Sequence, residues 1–416
     1  MAGSIRFHYD FVCPYAFLAS LRVEAVAQQI GARVSWEPIL LGGVFKAIGA
    51  PDRPRMSEGR ARYNLIDLKR QADRAGVELR APSDHPRRTV LALRAAIGSS
   101  DIVAASRALY AAYWLRGEDL EDPRVVRSAL DGAGLDGAAA LEAAHSESVK
   151  ADLRARTDRA IASGVFGVPT MLVGDAPEDF YWGNDRLDLL LPPRPAAPDR
   201  APDPARKIAF YFDFSSPYAY LASTQIRALA RRAGATIDYR PILLGGLFKA
   251  IDTPNVPIFE MPAPKRRYQG VELVRWAKRW GVPFTFSTRF PLQTTKALRL
   301  VLVAPDEQRE ALIHALFEAA WARDEDLSDH ATLTEIAARA SVSFRELAPR
   351  TVEDAVKLEL RKRTEAAQAA GVFGVPTFAV NDPSDARAEG AAVGGGSAEW
   401  FWGQDRLDEV EERLSR

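Results

Sequence analysis

Residues 11–20 read FVCPYAFLAS and residues 214–223 read FSSPYAYLAS, so the chain carries the same short segment twice. Each copy follows an alternating, aromatic-rich stretch, IRFHYDF or IAFYFDF, that is typical of a β-strand. A helical pattern follows each proline. The residue just before the proline is Cys13 in one copy and Ser216 in the other. The question is which chemistry uses a cysteine or a serine at a strand-to-helix turn, in duplicate.

Three further segments recur in the same order, which indicates a tandem repeat of two homologous domains. They are PILLGG(V/L)FKAI at 38–48 and 241–251, GVFGVPT at 164–170 and 371–377, and WG(N/Q)DRLD at 182–188 and 402–408. Between the copies, residues 190–206 are rich in proline, as in a stiff linker. We therefore predict a first domain at 1–189, a linker at 190–206 and a second domain at 207–416.

The composition excludes several classes of protein. With 55 basic and 55 acidic residues the formal net charge is zero, so nucleic acid is not expected as the main partner. No apolar run reaches the roughly 18 residues of a membrane span, and no secretory signal pattern opens the sequence, so we expect a cytoplasmic protein. The single cysteine, Cys13, excludes an internal disulfide framework and a cysteine-based zinc site. No histidine pair has metal-binding spacing, and we predict no metal.

Each repeat has the same predicted layout. The first strand leads into a helix that ends at Gly31 or Gly234, and a second strand (RVSWEPILL or TIDYRPILL) follows. A long helical region comes next, then a strand after Val-Pro-Thr, and then a short strand and helix with the WG(N/Q)DRLD segment. A βαβ half, a helical insertion and a strand-strand-helix half predict an α/β chain of two thioredoxin-like domains, each with an inserted α-helical domain.

The Cys/Ser-Pro turn places a side chain where several backbone N–H groups of a helix have no partner. Such a position stabilises an anion, so we expect the pKa of a cysteine thiol there to be lowered. A serine stays a neutral hydroxyl and serves instead as a hydrogen-bond donor to a thiolate that comes from elsewhere. The alternative for Cys13 is a small buried core residue.

The Val-Pro-Thr segments supply a second element, at Val168-Pro169 and Val375-Pro376. A cis peptide bond there would present the backbone of the preceding residue to an extended thiol peptide. The alternative is a proline that only begins an edge strand. The recurrence of the whole GVFGVPT context favours the functional interpretation.

The motifs FDFSSPYAYLAS, PILLGGLFKAI, GVFGVPTF and FWGQDRLD, in this order, resemble the 2-hydroxychromene-2-carboxylate isomerase family. Its relatives include the kappa-class glutathione transferases and, more distantly, the periplasmic disulfide oxidoreductases. The resemblance covers nearly all of both repeats. It implies a thioredoxin-like domain with a helical insertion, glutathione as cofactor, and an active serine at the Ser-Pro turn, which is Ser216, with Ser215 as the adjacent alternative. In the first repeat the position of the active serine is occupied by Cys13, which differs from the isomerase pattern and resembles the disulfide oxidoreductases. Ala16, however, stands where the second cysteine of those oxidoreductases would be.

The same resemblance implies roles for further residues. The Val168-Pro169 and Val375-Pro376 edges would hold the cysteinyl backbone of glutathione. Its γ-glutamyl end would be held by Asn184 and Asp185, or by Gln404 and Asp405, although an aspartate that caps a helix is an alternative. The shared lysines Lys46 and Lys249 would bind a carboxylate or else are surface residues, and Asn255 stands where the family often has an active-site asparagine. The segments PRRT (86–89) and PLQT (291–294) depart from the family pattern, which usually has asparagine before Thr or Ser.

The leading hypothesis is a glutathione-dependent isomerase of an unsaturated aromatic 2-oxo acid or its cyclic hemiketal, working at Ser216 by reversible thiolate addition. Rival hypotheses are thiol conjugation or sulfur delivery by a transferase, mixed-disulfide chemistry at Cys13, and a non-enzymatic scaffold. Another low-molecular-weight thiol in place of glutathione also stays open. The matching Tyr63 and Tyr268 either line the pocket or pack in the core. We expect the fused copies to pack as a pseudo-twofold dimer within the chain.

Overall fold

The computed structural model describes residues 3–50, 56–193, 195–380 and 398–415, so Arg194 of the predicted linker lies outside the described residues. The chain forms two compact units, and neither is continuous in sequence. Unit 1 consists of the described residues within Met1–Arg55, Asp67–Arg194 and Met261–Val271. Unit 2 consists of those within Met56–Ile66, Pro195–Glu260 and Glu272–Arg416. A short segment of each repeat therefore belongs to the unit formed mainly by the other repeat.

Unit 1 contains a four-stranded sheet. Its strands are β1 (Ser4–Tyr9), β2 (Arg33–Pro38), β3 (Thr170–Leu172) and β4 (Phe180–Trp182). The strand order is β2-β1-β3-β4, with β1 parallel to β2 and antiparallel to β3, and β3 antiparallel to β4. Strand β3 is thus an interior strand, and the interpretation of Pro169 as the start of an edge strand is wrong.

The helices of the first repeat supply the crossover and the insertion. They are α1 (Pro14–Ser20), α2 (Val23–Gln29), α3 (Leu41–Ile48), α4 (Glu58–Arg74), α5 (Val90–Gly98), α6 (Ile102–Leu115), α7 (Pro123–Asp131), α8 (Gly137–His145) and α9 (Glu147–Ala162).

Two boundaries predicted from the sequence of the first repeat are wrong. The second strand ends at Pro38, before the leucines that open α3. The single helix expected up to Gly31 is split, because Arg22 leaves helical geometry (φ −120°) and its guanidinium pairs with Asp188.

Unit 2 repeats the sheet topology. Its strands are β5 (Lys207–Phe212), β6 (Thr236–Pro241), β7 (Thr377–Val380) and β8 (Glu399–Trp402), in the order β6-β5-β7-β8. The helices of the second repeat are α10 (Pro217–Ala233), α11 (Leu244–Ala250), α12 (Ala263–Trp280), α13 (Thr295–Val303), α14 (Asp306–Trp321), α15 (His330–Arg339), α16 (Phe344–Leu347), α17 (Asp354–Ala369) and α18 (Leu407–Ser415). Helix α10 ends at Gly234 with φ 65°, as the sequence predicted.

Both units confirm the predicted thioredoxin-like domain, in which the helical insertion separates a βαβ half from a strand-strand half. The pseudo-twofold arrangement of the two copies stays a prediction. Among the residues that the structure describes, no helix combines the length and the apolar character that a membrane crossing requires.

The aromatic core fixes the strand end at which the candidate site begins. In unit 1, Phe7 and Tyr9 are fully buried and pack against Trp36, with ring centroids 5.2 and 5.4 Å away. Burying one such side chain is worth about 1.5–3 kcal/mol. The insertion also holds the turn that follows each strand. The indole N–H groups of Trp114 and Trp321 donate to the carbonyl oxygens of Phe11 and Phe214, each at 2.8 Å.

Two segments, residues 56–66 of the first repeat and residues 261–271 of the second, belong to the unit formed mainly by the other repeat, and we call them the exchanged segments. They carry Tyr63 and Tyr268, and each tyrosine is buried in the unit that its segment joins. In unit 2 the hydroxyl of Tyr63 accepts a hydrogen bond from the backbone N–H of Trp402 at 2.9 Å, and its ring lies 5.6 Å from that of Phe373. In unit 1 the hydroxyl of Tyr268 accepts from the backbone N–H of Trp182 at 3.2 Å. Both side chains are buried, which supports core packing, and Tyr268 also lines a cavity of unit 1.

Candidate active site

Ser216 occupies the N-cap of α10, which places its hydroxyl at the free N–H groups of a long helix. Its backbone is extended (φ −100°, ψ 115°), and its Oγ accepts a hydrogen bond from the N–H of Ala219 at 3.1 Å. The same hydroxyl donates to the carbonyl oxygen of Val375 at 3.1 Å. The side chain is buried, with 5% of the residue exposed. The hydroxyl is therefore held at the helix N-terminus and against the Val-Pro segment at once.

The neighbouring Ser215 points elsewhere. Its backbone N–H donates to Asp213 Oδ1 at 3.0 Å, and its side chain is also hydrogen-bonded to that carboxylate. Of the two adjacent serines, only Ser216 has a hydrogen bond to Val375 in the described residues of unit 2. The geometry favours Ser216 as the functional hydroxyl.

Cys13 occupies the corresponding position in unit 1. It is the N-cap of α1 with φ −96° and ψ 117°, and its Sγ donates to the carbonyl oxygen of Val168 at 3.2 Å. Burial raises the pKa of the thiol to about 12, against the lowering effect of the N–H groups of Ala16 and Tyr15. The expectation of a lowered thiol pKa is wrong for this structure, because burial of the thiolate raises the pKa by more than the two helix N–H groups lower it.

A buried aspartate lies directly before each turn, and sequence reasoning missed it. Asp213 accepts hydrogen bonds from the hydroxyl of Thr294 at 2.6 Å, the N–H of Leu244 at 2.8 Å and the N–H of Ser215. It thereby joins the end of β5 to the start of α11 and to the loop that precedes α13. Burial raises the pKa of the Asp213 carboxyl, and these three hydrogen bonds lower it.

The same arrangement occurs in unit 1. Asp10 accepts from the hydroxyl of Thr89 at 2.5 Å and from the N–H of Leu41 at 2.9 Å, and burial raises the pKa of its carboxyl. The two aspartates and the two threonines occupy matching positions of the repeats. An alignment of one repeat with the other could therefore have identified them from the sequence.

The Val168-Pro169 and Val375-Pro376 peptide bonds are both cis. The carbonyl of each proline accepts a hydrogen bond from the N–H of a glycine in the WG(N/Q)DRLD segment, Gly183 or Gly403, at 3.0 Å in both units. Gly183 and Gly403 have φ values of 118° and 109°, a region that side chains other than glycine rarely adopt. The two predicted cofactor-binding segments are therefore adjacent in each unit.

The residues after these glycines form short 3₁₀ turns. Asn184 and Gln404 are buried, while Asp185 and Asp405 pair with the next arginine, at 2.8 Å to Arg186 and 3.6 Å to Arg406. The N-cap of each turn is the glycine, so the interpretation of the aspartates as helix caps is wrong.

One of these side chains has an unsatisfied polar atom. Among the residues that the structure describes, the buried Asn184 Oδ1 has no hydrogen-bond partner. A buried amide oxygen without a donor is costly, and an ammonium group of a ligand would satisfy it. This feature of unit 1 fits the predicted binding of a γ-glutamyl end.

The remaining predicted residues lie on or beside the PILLGG helices. Lys46 and Lys249 are exposed in the last turns of α3 and α11, and neither contacts Cys13 or Ser216 in the described part of the chain. Asn255 is exposed, but its Oδ1 lies so close to α11 that a Cβ on Gly245 would be 2.9 Å from it. The structure thus brings Ser216, Val375 and Pro376 together with the Gly403-Gln404 turn, and it places Asn255 against α11, whose first N–H donates to Asp213.

Comparisons with known proteins define the class and then the family. A domain model described as a DSBA-like thioredoxin domain matches residues 4–192 and again residues 207–415. The chain belongs to the DSBA-like thioredoxin domain family and contains its domain twice.

Individual relatives match one repeat length each. A 2-hydroxychromene-2-carboxylate isomerase from Sphingobium xenophagum is 32% identical over 209 residues, which cover 50% of this chain and 98% of the relative. A glutathione S-transferase kappa 1 from Caenorhabditis elegans is 26% identical over 220 residues, covering 50% of this chain and 91% of the relative. A solved structure of a 2-hydroxychromene-2-carboxylate isomerase is 28% identical, with a TM-score of 0.39, over 45% of this chain and 92% of that chain. The sequence relatives confirm the resemblance and the tandem duplication.

Proposed function

We propose that the Ser216 site is a glutathione-dependent isomerase that acts on an unsaturated aromatic 2-oxo acid or a 2-hydroxychromene-2-carboxylate-like substrate. The observation that carries the proposal is the position of the Ser216 hydroxyl, at a helix N-terminus and 3.1 Å from the carbonyl next to a cis-proline. The similarity to isomerases of the same reaction class supports it.

Several residues of unit 2 fit glutathione. The Val375 carbonyl has a second lone pair beyond the one used by Ser216, so it can accept from a peptide N–H of the cofactor. Gln404 and Asp405 follow the glycine that is hydrogen-bonded to Pro376, and they would hold the γ-glutamyl end. In unit 1 the equivalent set is Val168, Pro169, Asn184 and Asp185, and the orphaned Asn184 oxygen supports it.

Ser216 would favour the ionised form of a thiol bound beside it. A free thiol has a pKa of about 8.5, and the positive end of α10 together with a hydroxyl donor stabilises the anion. The Ser216 hydroxyl would turn its hydrogen from Val375 to the sulfur while its oxygen still accepts from Ala219. Bound glutathione would supply the thiolate that adds to a conjugated carbon and leaves again, so none is consumed. Lys249 would pair with the substrate carboxylate.

A transferase is the second candidate, since kappa-class glutathione transferases are also among the relatives. It would use the same thiol site and differ only in the fate of the adduct, which a transferase retains as a thioether. The mass balance of glutathione therefore distinguishes the two candidates.

Thiol-disulfide exchange at Cys13 is less well supported. The raised pKa of its thiol leaves little thiolate at neutral pH, and Ala16 offers no second cysteine to resolve a mixed disulfide. We propose that Cys13 serves in unit 1 as an S–H donor or as a structural residue.

The test is to incubate the full chain with glutathione and 2-hydroxychromene-2-carboxylate and to follow the absorbance of substrate and product together with the glutathione concentration. Interconversion at constant glutathione, abolished in Ser216→Ala and retained in Cys13→Ser, is the expected result. Consumption of glutathione with a thioether product would replace the isomerase by the transferase. No glutathione-dependent reaction of either kind would refute both.

A further inference from the structure

Unit 2 carries an exposed aromatic cluster, which we define as Phe259, Phe286 and Phe290. Phe259 is 57% exposed and Phe286 is 42% exposed, while Phe290 is half-buried between them. The ring of Phe290 lies 6.0 Å from that of Phe259 at an interplanar angle of 80°, and 5.2 Å from that of Phe286 at 53°. Phe290 therefore meets each of the other two rings at a steep angle, and neither pair is stacked face to face.

The cluster is joined to the turn that holds Ser216. Phe286 and Phe290 lie 5.8 and 6.4 Å from the ring of Trp321, whose indole N–H donates to the carbonyl of Phe214, two residues before Ser216. The loop after Phe290 also reaches this turn, because Thr294 donates to Asp213.

The segment that carries Phe259 is connected to α11, the helix that follows the second strand of the repeat. The 3₁₀ turn Pro257–Glu260 follows Asn255, whose side chain lies against the first turn of α11 at Gly245. Helix α11 begins at Leu244, whose N–H is hydrogen-bonded to Asp213. One side of the cluster is thus connected to Asp213 through Thr294, and the other side follows the residue that lies against α11, whose first N–H donates to Asp213.

The cluster is specific to the second repeat. Aligning Pro86 with Pro291 places Ala81 opposite Phe286 and His85 opposite Phe290. Residues 49–60 of the first repeat, which correspond to the Phe259 segment, contain no aromatic residue. His85 is instead hydrogen-bonded to the hydroxyl of Tyr113 through its Nδ1, at 2.9 Å. Packing of the shared fold therefore does not require these phenylalanines.

The size of the exposed aromatic surface and the charge beside it indicate which kind of ligand the cluster binds. The exposed parts of Phe259 and Phe286 together amount to roughly 200 Å², far below the roughly 800 Å² per partner of a stable protein interface. Lys249 is exposed at the end of α11 and pairs with no carboxylate among the residues that the structure describes. An aromatic surface with a cation on the adjoining helix suits a small aromatic acid.

We propose that Phe259, Phe286 and Phe290 bind the aromatic ring of the acid on which the Ser216 site acts. The cluster then makes the second repeat the half of the chain that selects an aromatic substrate. The inference rests on the proposed function for the chemical class of the ligand, but it concerns ring recognition and not the reaction.

The experiment is titration calorimetry of the full chain without glutathione, with cinnamate and crotonate as probes. Both are unsaturated carboxylic acids, and only cinnamate has a ring. We expect cinnamate to bind more tightly than crotonate. Phe259→Ala and Phe286→Ala should each weaken cinnamate about threefold to tenfold and leave crotonate unchanged. Val352→Ala and Leu358→Ala, which truncate other exposed apolar side chains of unit 2, should change neither.

Three results would overturn the inference: no cinnamate binding to the wild-type chain, unchanged cinnamate affinity in both phenylalanine variants, or an equal loss in the control variants. Its failure is distinguishable from that of the proposed function. Ring-dependent cinnamate binding in a chain without glutathione-dependent turnover would reject only the proposed function. Turnover with an unchanged KM in Phe259→Ala and Phe286→Ala would reject only the inference.

Discussion

Cys13 and Ser216 stand at the same place in the fold, and neither side chain is ionised near neutral pH, because desolvation raises the pKa of the Cys13 thiol to about 12. The position at a helix N-terminus led to an expectation of a reactive thiolate. In the structure Cys13 is half-buried, and desolvation is the largest influence on the pKa of its thiol. A sequence motif identifies the N–H groups around a cysteine, but it does not give the amount of water excluded.

The first prediction follows from the pKa of Cys13. Because the thiol pKa is raised to about 12, iodoacetamide should alkylate the folded chain very slowly at pH 7, with a rate that still rises above pH 10. Cys13 is the single cysteine, so mass spectrometry of the whole chain measures it directly. The urea-unfolded chain is the control and should show a midpoint near 8.5. A midpoint below 8 in the folded chain would contradict the prediction.

The second prediction concerns His8, the residue before the last of β1. Burial lowers the pKa of His8 to about 3, with a further lowering by Arg6 and Arg159, and neither ring nitrogen has a partner in the described residues. The unfolded chain gains this proton near pH 6.5 and the folded chain does not, so the free energy of unfolding should decrease as pH falls from 6.5 toward 3. Between pH 7 and 5 the loss should be about 2 kcal/mol.

Urea unfolding at the two pH values, compared with His8→Phe, isolates this contribution from that of the carboxylates. The variant should lose about 2 kcal/mol less than the wild type on acidification. Equal losses in the two chains would mean that His8 is protonated, or solvated, in the folded state.

At the scale of elements, the buried aspartates explain why the motifs recur together. Asp213 joins β5, the Ser216 turn, α11 and the loop before α13 through three hydrogen bonds. The PILLGG and PLQT segments are far apart in sequence, and their common partner is the aspartate of the FDF motif. The strand, turn and helix pattern was predictable from local periodicity, whereas this connection required the tertiary structure.

The third prediction tests that connection. Thr294→Val removes the hydroxyl that donates to Asp213 and keeps the shape of the side chain, so a buried carboxylate loses one partner. The expected cost is about 1–3 kcal/mol in the free energy of unfolding, measured by urea denaturation. Thr294→Ser, which keeps the hydroxyl, should retain most of the stability. If the serine variant is as unstable as the valine variant, the methyl group and not the hydrogen bond is what matters.

At the scale of the whole molecule, the exchanged segments are the feature that the sequence could not reveal. The helical pattern around Tyr63 and Tyr268 was recognisable, and their matching register was visible. Periodicity shows which face of a helix is apolar, but it does not show which of two homologous domains that face covers. Because the repeats are so similar, each segment had two equally suitable partners, and only the three-dimensional structure assigns residues 56–66 to unit 2 and 261–271 to unit 1.

The fourth prediction uses two helix glycines, one in each exchanged segment. In unit 2, Gly59 of α4 packs so closely that an added Cβ would lie 2.6 Å from the backbone carbonyl oxygen of Gly371, the first residue of the GVFGVPT segment. Gly59→Ala should therefore displace this segment and destabilise unit 2, even though alanine is the better helix former. In unit 1, Gly270 of α12 has no heavy atom within 4 Å of such a Cβ, so Gly270→Ala should stabilise by about 0.5–1 kcal/mol. Thermal unfolding of the two variants compares the same substitution in matched helices, and a gain of stability in Gly59→Ala would show that residues 56–66 do not pack on this carbonyl.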